Sequence, residues 1–146
     1  MATLDHARFY AILDADLVPA ERWVATYEAL LDGGADIVQL RAKHVSHADR
    51  VLLLEAMLPV FVSSGVPLVV NDDLEAAAIY PGMGVGLHLG QDDLDPVEAR
   101  ETLGPDAIIG QSTHSVRQAE SAIRLASDAV IDYFATGPVY PTPTKP

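Results

Sequence analysis

Short apolar runs recur along the chain at residues 9–13, 37–40, 67–70, 85–89, 107–109 and 130–135. Each has the length and near-continuous apolar character of a strand covered on both faces. Helical signals fill the gaps between them. Trp23, Val24, Tyr27, Leu30 and Leu31 form one apolar helical face, which Gly33-Gly34 ends. Ser46 with Asp49 resembles a capping box ahead of residues 51–62, with Asp in place of the usual Glu or Gln. Residues 74–80 predict a short apolar helix closed by Pro81-Gly82. Asp95-Pro96-Val97-Glu98 sets a cap, a first-turn proline and an acid in order. Ser115 caps a further helix through residues 119–125.

The pattern is therefore β-α repeated, with six strands and five helices. Such alternation predicts parallel strands joined by right-handed crossovers. A doubly wound open sheet and a TIM (β/α)8 barrel both satisfy it. No glycine-rich dinucleotide fingerprint follows the first strand, where Asp14-Ala15-Asp16-Leu17 stands instead. Polar residues gather just after nearly every strand, where barrels carry their chemistry. A complete barrel needs two more strands than these six runs supply.

Composition narrows the function. The 146 residues suffice for one modest domain, and 49% hydrophobic content with 21% charge makes it globular. The net charge of −12 repels a nucleic-acid backbone and argues against that partner. The absence of cysteine excludes disulfides and thiolate chemistry and fits a cytoplasmic protein. The first residues lack the basic-then-apolar order of a signal peptide, and residues 51–62 are interrupted by Glu55 and Pro59, so no membrane span is expected.

In so acidic a chain the two lysines, Lys43 and Lys145, stand out. Gln39, Arg41 and Lys43 alternate at the end of strand two and share one face, an arrangement suited to a polyanion such as diphosphate. Taken alone they also read as a solvated strand end. Asn71-Asp72-Asp73 and His88-Leu89-Gly90-Gln91-Asp92-Asp93 follow strands three and four. Their carboxylates suit Mg²⁺, which takes a few protein oxygens plus substrate phosphates. Any one of them is equally a helix cap, and Asp72 or Asp73 would cap residues 74–80. His88, alone in an apolar strand, reads as packing. Gln111-Ser112-Thr113-His114 has no partner acid at useful spacing, so Ser112 reads as a phosphate donor rather than a nucleophile. Together these clusters describe one site for a phosphorylated substrate and a metal.

The ordered set Gln39-Leu40-Arg41-Ala42-Lys43, Asn71-Asp72, His88-Leu89-Gly90-Gln91-Asp92-Asp93, Gly110-Gln111-Ser112-Thr113-His114 and Gly137-Pro138-Val139-Tyr140-Pro141-Thr142-Pro143-Thr144-Lys145 resembles thiamine-phosphate synthase from about residue 9 to the last. The resemblance implies a TIM barrel that joins a pyrimidine diphosphate to a thiazole phosphate and releases diphosphate. It implies a dissociative reaction, in which a pyrimidine methyl cation is captured by the thiazole nitrogen. Carried over by position, Gln39, Arg41, Lys43, Asn71, Ser112 and Lys145 would contact the pyrimidine diphosphate, with Leu40 and Ala42 in the same strip. Arg41, Lys43, Lys145 and Ser112 would act in the chemistry. Thr142 and Thr144, flanking Pro143, would contact the thiazole phosphate. Asp72 and Asp93 would hold Mg²⁺.

Members of the family continue through two further βα units, which carry more of the thiazole phosphate site. The resemblance thus implies that residues 1–146 form a single partial barrel domain lacking strands seven and eight. It also implies a longer working protein, so that these residues alone would not make thiamine phosphate. Exposed edges on the first and sixth strands would permit pairing with a second copy, so a homo-oligomer is among the expected states. A thiazole tautomerase-like relative and a non-catalytic pyrimidine-phosphate-binding chain are the alternative readings. The retained Lys43, Lys145, Thr142 and Thr144 favour the synthase.

Overall fold

A computed structural model describes residues 4–143. Its strands are β1 (Tyr10–Asp14), β2 (Ile37–Arg41), β3 (Leu68–Asn71), β4 (Gly86–Leu89), β5 (Ile109–Thr113) and β6 (Tyr133–Thr136). The intervening helices are α1 (Trp23–Asp32), α2 (His47–Ser64), α3 (Leu74–Ala78), α4 (Pro96–Leu103) and α5 (Val116–Ser127). The strands form one sheet in the order β1-β2-β3-β4-β5-β6, and every neighbouring pair is parallel. This is the successive-neighbour order of a TIM barrel wall, and it disposes of the doubly wound alternative, whose strand order reverses at a switch point.

The expected caps form. Ser46 accepts from the Asp49 amide, and its hydroxyl donates to the Asp49 carboxylate at 2.8 Å. Asp95 accepts from the Val97 amide ahead of α4, and Ser115 from the Gln118 amide ahead of α5. Asp73, not Asp72, caps α3 by accepting from the Ala76 amide. The choice matters, because it leaves the Asp72 carboxylate free to turn elsewhere.

Two strand boundaries differ from expectation by three or more residues. The strand expected at 107–109 is β5, which runs on through Gln111, Ser112 and Thr113. Polarity hid this extension. Pairing with β6 satisfies the backbone, and the Thr113 hydroxyl donates to the Ala135 carbonyl at 3.0 Å. The run expected from 130 is a strand only from Tyr133, since α5 extends to Ser127 and Ala129 takes a left-handed φ of 57° in the turn that follows.

Strand alternation divides the sheet into two faces. Ala11, Leu13, Val38, Leu40, Leu68, Val70, Leu87, Leu89 and Ile109 pack with Tyr27, Leu54, Met57, Ala76, Ala99 and Ala122 from the helices in the main core. The opposite face carries a smaller apolar group, Ile37, Val69 and Ile108, with Tyr10 and Tyr133 packed against it. Gln39, Arg41, Asn71, His88 and Ser112 fall on this second face by the same alternation. At the opposite end of the strands Arg100 fastens the sheet, donating to the carbonyls of Val130, Gly104 and Ala107 and to the Asp132 carboxylate at 2.7 Å.

Candidate functional site

The carboxyl ends of β1 to β5 gather the polar residues of the inner face. Asp14 and Arg41 are register partners, and the Arg41 guanidinium donates to Asp14 at 2.6 Å. Arg41 is thereby held in place, with most of its donors left over for an anion. Gln39, two residues earlier on the same face, is buried at 3% exposure and donates to the Tyr10 hydroxyl at 2.7 Å. Leu40 and Ala42, the other members of this strip, turn into the helix-facing core. They can offer a ligand only backbone, which corrects any reading of their side chains as contacts.

Lys43 begins the loop into α2 and is exposed. Arg50 clamps this loop by donating to the carbonyls of Ala42 at 2.7 Å and Val45 at 3.0 Å. Arg50 also pairs with Asp73, which accepts from His47 at 2.9 Å. Burial alone raises the pKa of Asp73, but the combined bonds from the Ala76 amide, His47 and Arg50 outweigh it and hold the carboxyl below its ordinary value.

Asp72 has a left-handed φ of 62°, a strained conformation of the kind that collects at functional sites. Asn71 donates to its carboxylate at 2.8 Å. Asp93 reaches it from the loop after β4, where Asp93 is positioned by the Gly90 amide at 2.6 Å. A Cβ at 90 would lie 2.6 Å from the Asp93 carboxylate oxygen and would push that side chain aside. Desolvation in this cleft, then the hydrogen bond and charge of Asp93, push the Asp72 pKa up to about 6, against the opposing pull of nearby Lys43. Two carboxylates forced together beside one ammonium group form a site that a divalent cation would relieve. Among the described residues no three His, Asp or Glu side chains gather as a metal cage. A pair suits Mg²⁺, which keeps waters and takes substrate phosphates. Asp92 is exposed beside the pair.

Ser112 lies on β5 with its hydroxyl 2.8 Å from His88 Nε2. Gln91 donates to the Ser112 carbonyl at 2.7 Å and folds the loop after β4 over the end of β5. Past β6, the Gly137 carbonyl bonds to His114 Nδ1 at 2.5 Å. Thr142 is half-buried and Pro143 exposed, while Thr144 and Lys145 lie outside the described residues. The structure thus brings together Arg41, Lys43, Asn71, Asp72 and Asp93 on three successive strand ends. It places Gln39 and Ser112 on the same inner face.

Sequence reading missed the part of Tyr10 and Tyr133. His88, read as packing, is indeed buried at 5% exposure, yet both of its ring nitrogens are hydrogen-bonded, to Tyr133 and Ser112. The available signal was that Tyr10 and Tyr133 share the inner-face parity of Gln39 and Ser112.

A parallel β/α sheet whose strands neighbour one another in chain order, with polar groups gathered at its carboxyl ends, defines the βα-barrel class of proteins. The sequence profile of the thiamine monophosphate synthase family matches residues 9–146, and the chain belongs to that family. The thiamine-phosphate synthase of Acidothermus cellulolyticus is 41% identical over 145 residues, covering 99% of this chain and 66% of that protein. The chain spans just under two thirds of the length of such relatives. The thiamine phosphate pyrophosphorylase of Pyrococcus furiosus superposes with a TM-score of 0.76 at 26% identity, covering 93% of this chain and 62% of that one. Dihydropteroate synthase of Xanthomonas albilineans superposes at 0.68 and 18% identity over 94% of this chain and 62% of its own, a likeness of fold alone. Among the described residues no helix is long and apolar enough to cross a membrane.

Proposed function

We propose that this chain binds the pyrimidine diphosphate named above together with Mg²⁺, and that the protein joins it to thiazole phosphate with release of diphosphate. The observation that carries the reading is the convergence of Arg41, Lys43, Asn71 and the Asp72–Asp93 pair at three adjacent strand ends. Arg41 and Lys43 would grip the diphosphate, and Asn71 would orient both Asp72 and the ligand. Asp72 and Asp93 would hold the cation, whose bound charge would help neutralise the leaving diphosphate. Ser112 and Lys145 would donate to oxygens of the diphosphate, and Thr142 and Thr144 would contact the thiazole phosphate. No side chain here is asked to act as a nucleophile or strong base. A reaction that begins with diphosphate departure needs charge neutralisation and exclusion of water instead.

The test has two arms. Calorimetry measures binding of the pyrimidine diphosphate with and without Mg²⁺. A product assay with both substrates then measures thiamine phosphate and diphosphate. Mg²⁺-dependent binding followed by formation of both products supports the synthase reading. Absence of Mg²⁺-dependent binding would overturn it, and binding without turnover would reduce the function to a pyrimidine-phosphate receptor.

A further inference from the structure

A line of hydrogen-bonded side chains crosses the inner face of the sheet. Gln39 Nε2 lies 2.7 Å from the Tyr10 hydroxyl, and the Tyr10 and Tyr133 hydroxyls are 2.7 Å apart. The Tyr133 hydroxyl is 2.8 Å from His88 Nδ1, and His88 Nε2 is 2.8 Å from Ser112 Oγ. Five strands, β2, β1, β6, β4 and β5, each contribute one member. Packing supports the line, with the His88 and Tyr133 rings stacked at 5.6 Å and Tyr10 tilted against Tyr133 at 5.5 Å. Tyr133 lies over Gly110, where a Cβ would come within 2.0 Å of its ring.

The chemistry of the donors gives this line a direction. A hydroxyl has one hydrogen, and a neutral imidazole has one N–H. Tyr10, whose oxygen accepts from the Gln39 amide, keeps its own hydrogen within the line only by giving it to Tyr133. Tyr133, having accepted, gives its hydrogen to His88 Nδ1. The His88 hydrogen is then on Nε2 and is donated to Ser112 Oγ. Ser112 is therefore an acceptor within the line, and its own hydrogen turns outward. Burial holds the Tyr133 phenol well above its ordinary pKa and raises that of Tyr10, so both keep the hydrogens the line requires.

We infer that Tyr133 is a positioning residue for the site: through His88 it fixes the Nε2–H tautomer and so commits the Ser112 hydroxyl as a donor to a bound phosphate. Without the Tyr133 hydroxyl, Nδ1 can carry the imidazole hydrogen, and Ser112 can spend its own on Nε2. The tautomer is a property of the ligand-free protein, whereas the benefit to binding rests on the proposed function.

Two measurements separate these levels. Nitrogen-15 NMR of the imidazole rings, with the His88 signals assigned by their loss in His88→Gln, reads the tautomer without ligand. A proton on Nε2 in the wild type, lost or mixed in Tyr133→Phe, is expected. A wild-type proton on Nδ1 overturns the inference. Calorimetry with the pyrimidine diphosphate and Mg²⁺ supplies the second readout. Tyr133→Phe is expected to weaken binding about ten-fold, the order of one hydrogen bond to a charged group. In a Ser112→Ala background the same change is expected to cost less than about two-fold, since no hydroxyl remains to be aimed. Equal losses in both backgrounds mean that Tyr133 acts only on the fold, which overturns the inference. Tyr10→Phe, one step further along the line, is expected to act in the same direction and serves if Tyr133→Phe does not fold. Failure of the wild type to bind the pyrimidine diphosphate would sink the proposed function and leave the NMR result to decide the tautomer.

Discussion

Arg41 and Asp14 end adjacent strands in register, and the guanidinium donates to the carboxylate at 2.6 Å with both side chains less than a fifth exposed. A charge so restrained loses little further freedom on gripping an anion. Arg41→Ala is expected to weaken binding of the pyrimidine diphosphate by about 1.5–3 kcal/mol, the worth of a hydrogen bond to a charged group. Arg41→Lys is expected to recover little, because an ammonium cannot serve Asp14 and a phosphate with a planar fork. Calorimetry decides it, and an unchanged affinity in Arg41→Ala removes Arg41 from the site.

The carboxylate pair gives the metal a pH dependence. Asp72 titrates near 6 in the folded chain, above its unfolded value, so folding favours its protonated form. The metal-free fold therefore loses stability as pH rises from the ordinary carboxyl value of 3.8 to about 6, above which Asp72 is charged beside Asp93. Mg²⁺ needs the charged form. Added Mg²⁺ is expected to raise the melting temperature at a pH of about 8 and to do little at about 5. Asp93→Asn is expected to abolish that gain while leaving the fold intact. A Mg²⁺ response that survives in Asp93→Asn and disappears in Asp92→Asn moves the ligand by one residue.

Asp73 joins α3, α2 and the Lys43 loop through Arg50. Removing one partner leaves the other charged in a largely buried place, where Asp73 is 8% and Arg50 14% exposed. Asp73→Ala is expected to cost about 3 kcal/mol, the lower end for breaking a buried pair. The lowered pKa of Asp73 makes its contribution present at neutral pH and lost as pH falls through the folded value. Denaturant titrations of wild type and variant on both sides of that range test it. A constant difference between them at all pH values contradicts the assignment.

Arg100 is the counterpart at the far end of the strands. It satisfies three carbonyls and the Asp132 carboxylate, which also accepts from the Ile109 amide at 2.7 Å. Arg100→Met is expected to lower stability by about 3 kcal/mol and leave ligand affinity unchanged at temperatures where the protein is folded. A loss of affinity without loss of stability would show that this end communicates with the site.

The sequence by itself determined the local parts. Alternation along β2 separates Gln39 and Arg41 from Leu40, because successive strand residues point to opposite faces. Ser46, Asp95 and Ser115 cap their helices because each has an oxygen within reach of an amide two or three residues on. Polar β5 was harder to read, since Gln111, Ser112 and Thr113 carry no apolar signal and become strand only by pairing with β6. Tertiary structure alone decided the rest. Tyr10 and Tyr133 are 123 positions apart and lie on the first and last strands of the sheet, yet their hydroxyls bond. Asp72 meets Asp93 because β3 and β4 are neighbours and Asp72 takes a left-handed turn that frees it from capping α3. Periodicity tells which face of a strand a side chain occupies. Which side chains meet across that face depends on the curl of the sheet, a property of all the strands together that no local stretch encodes.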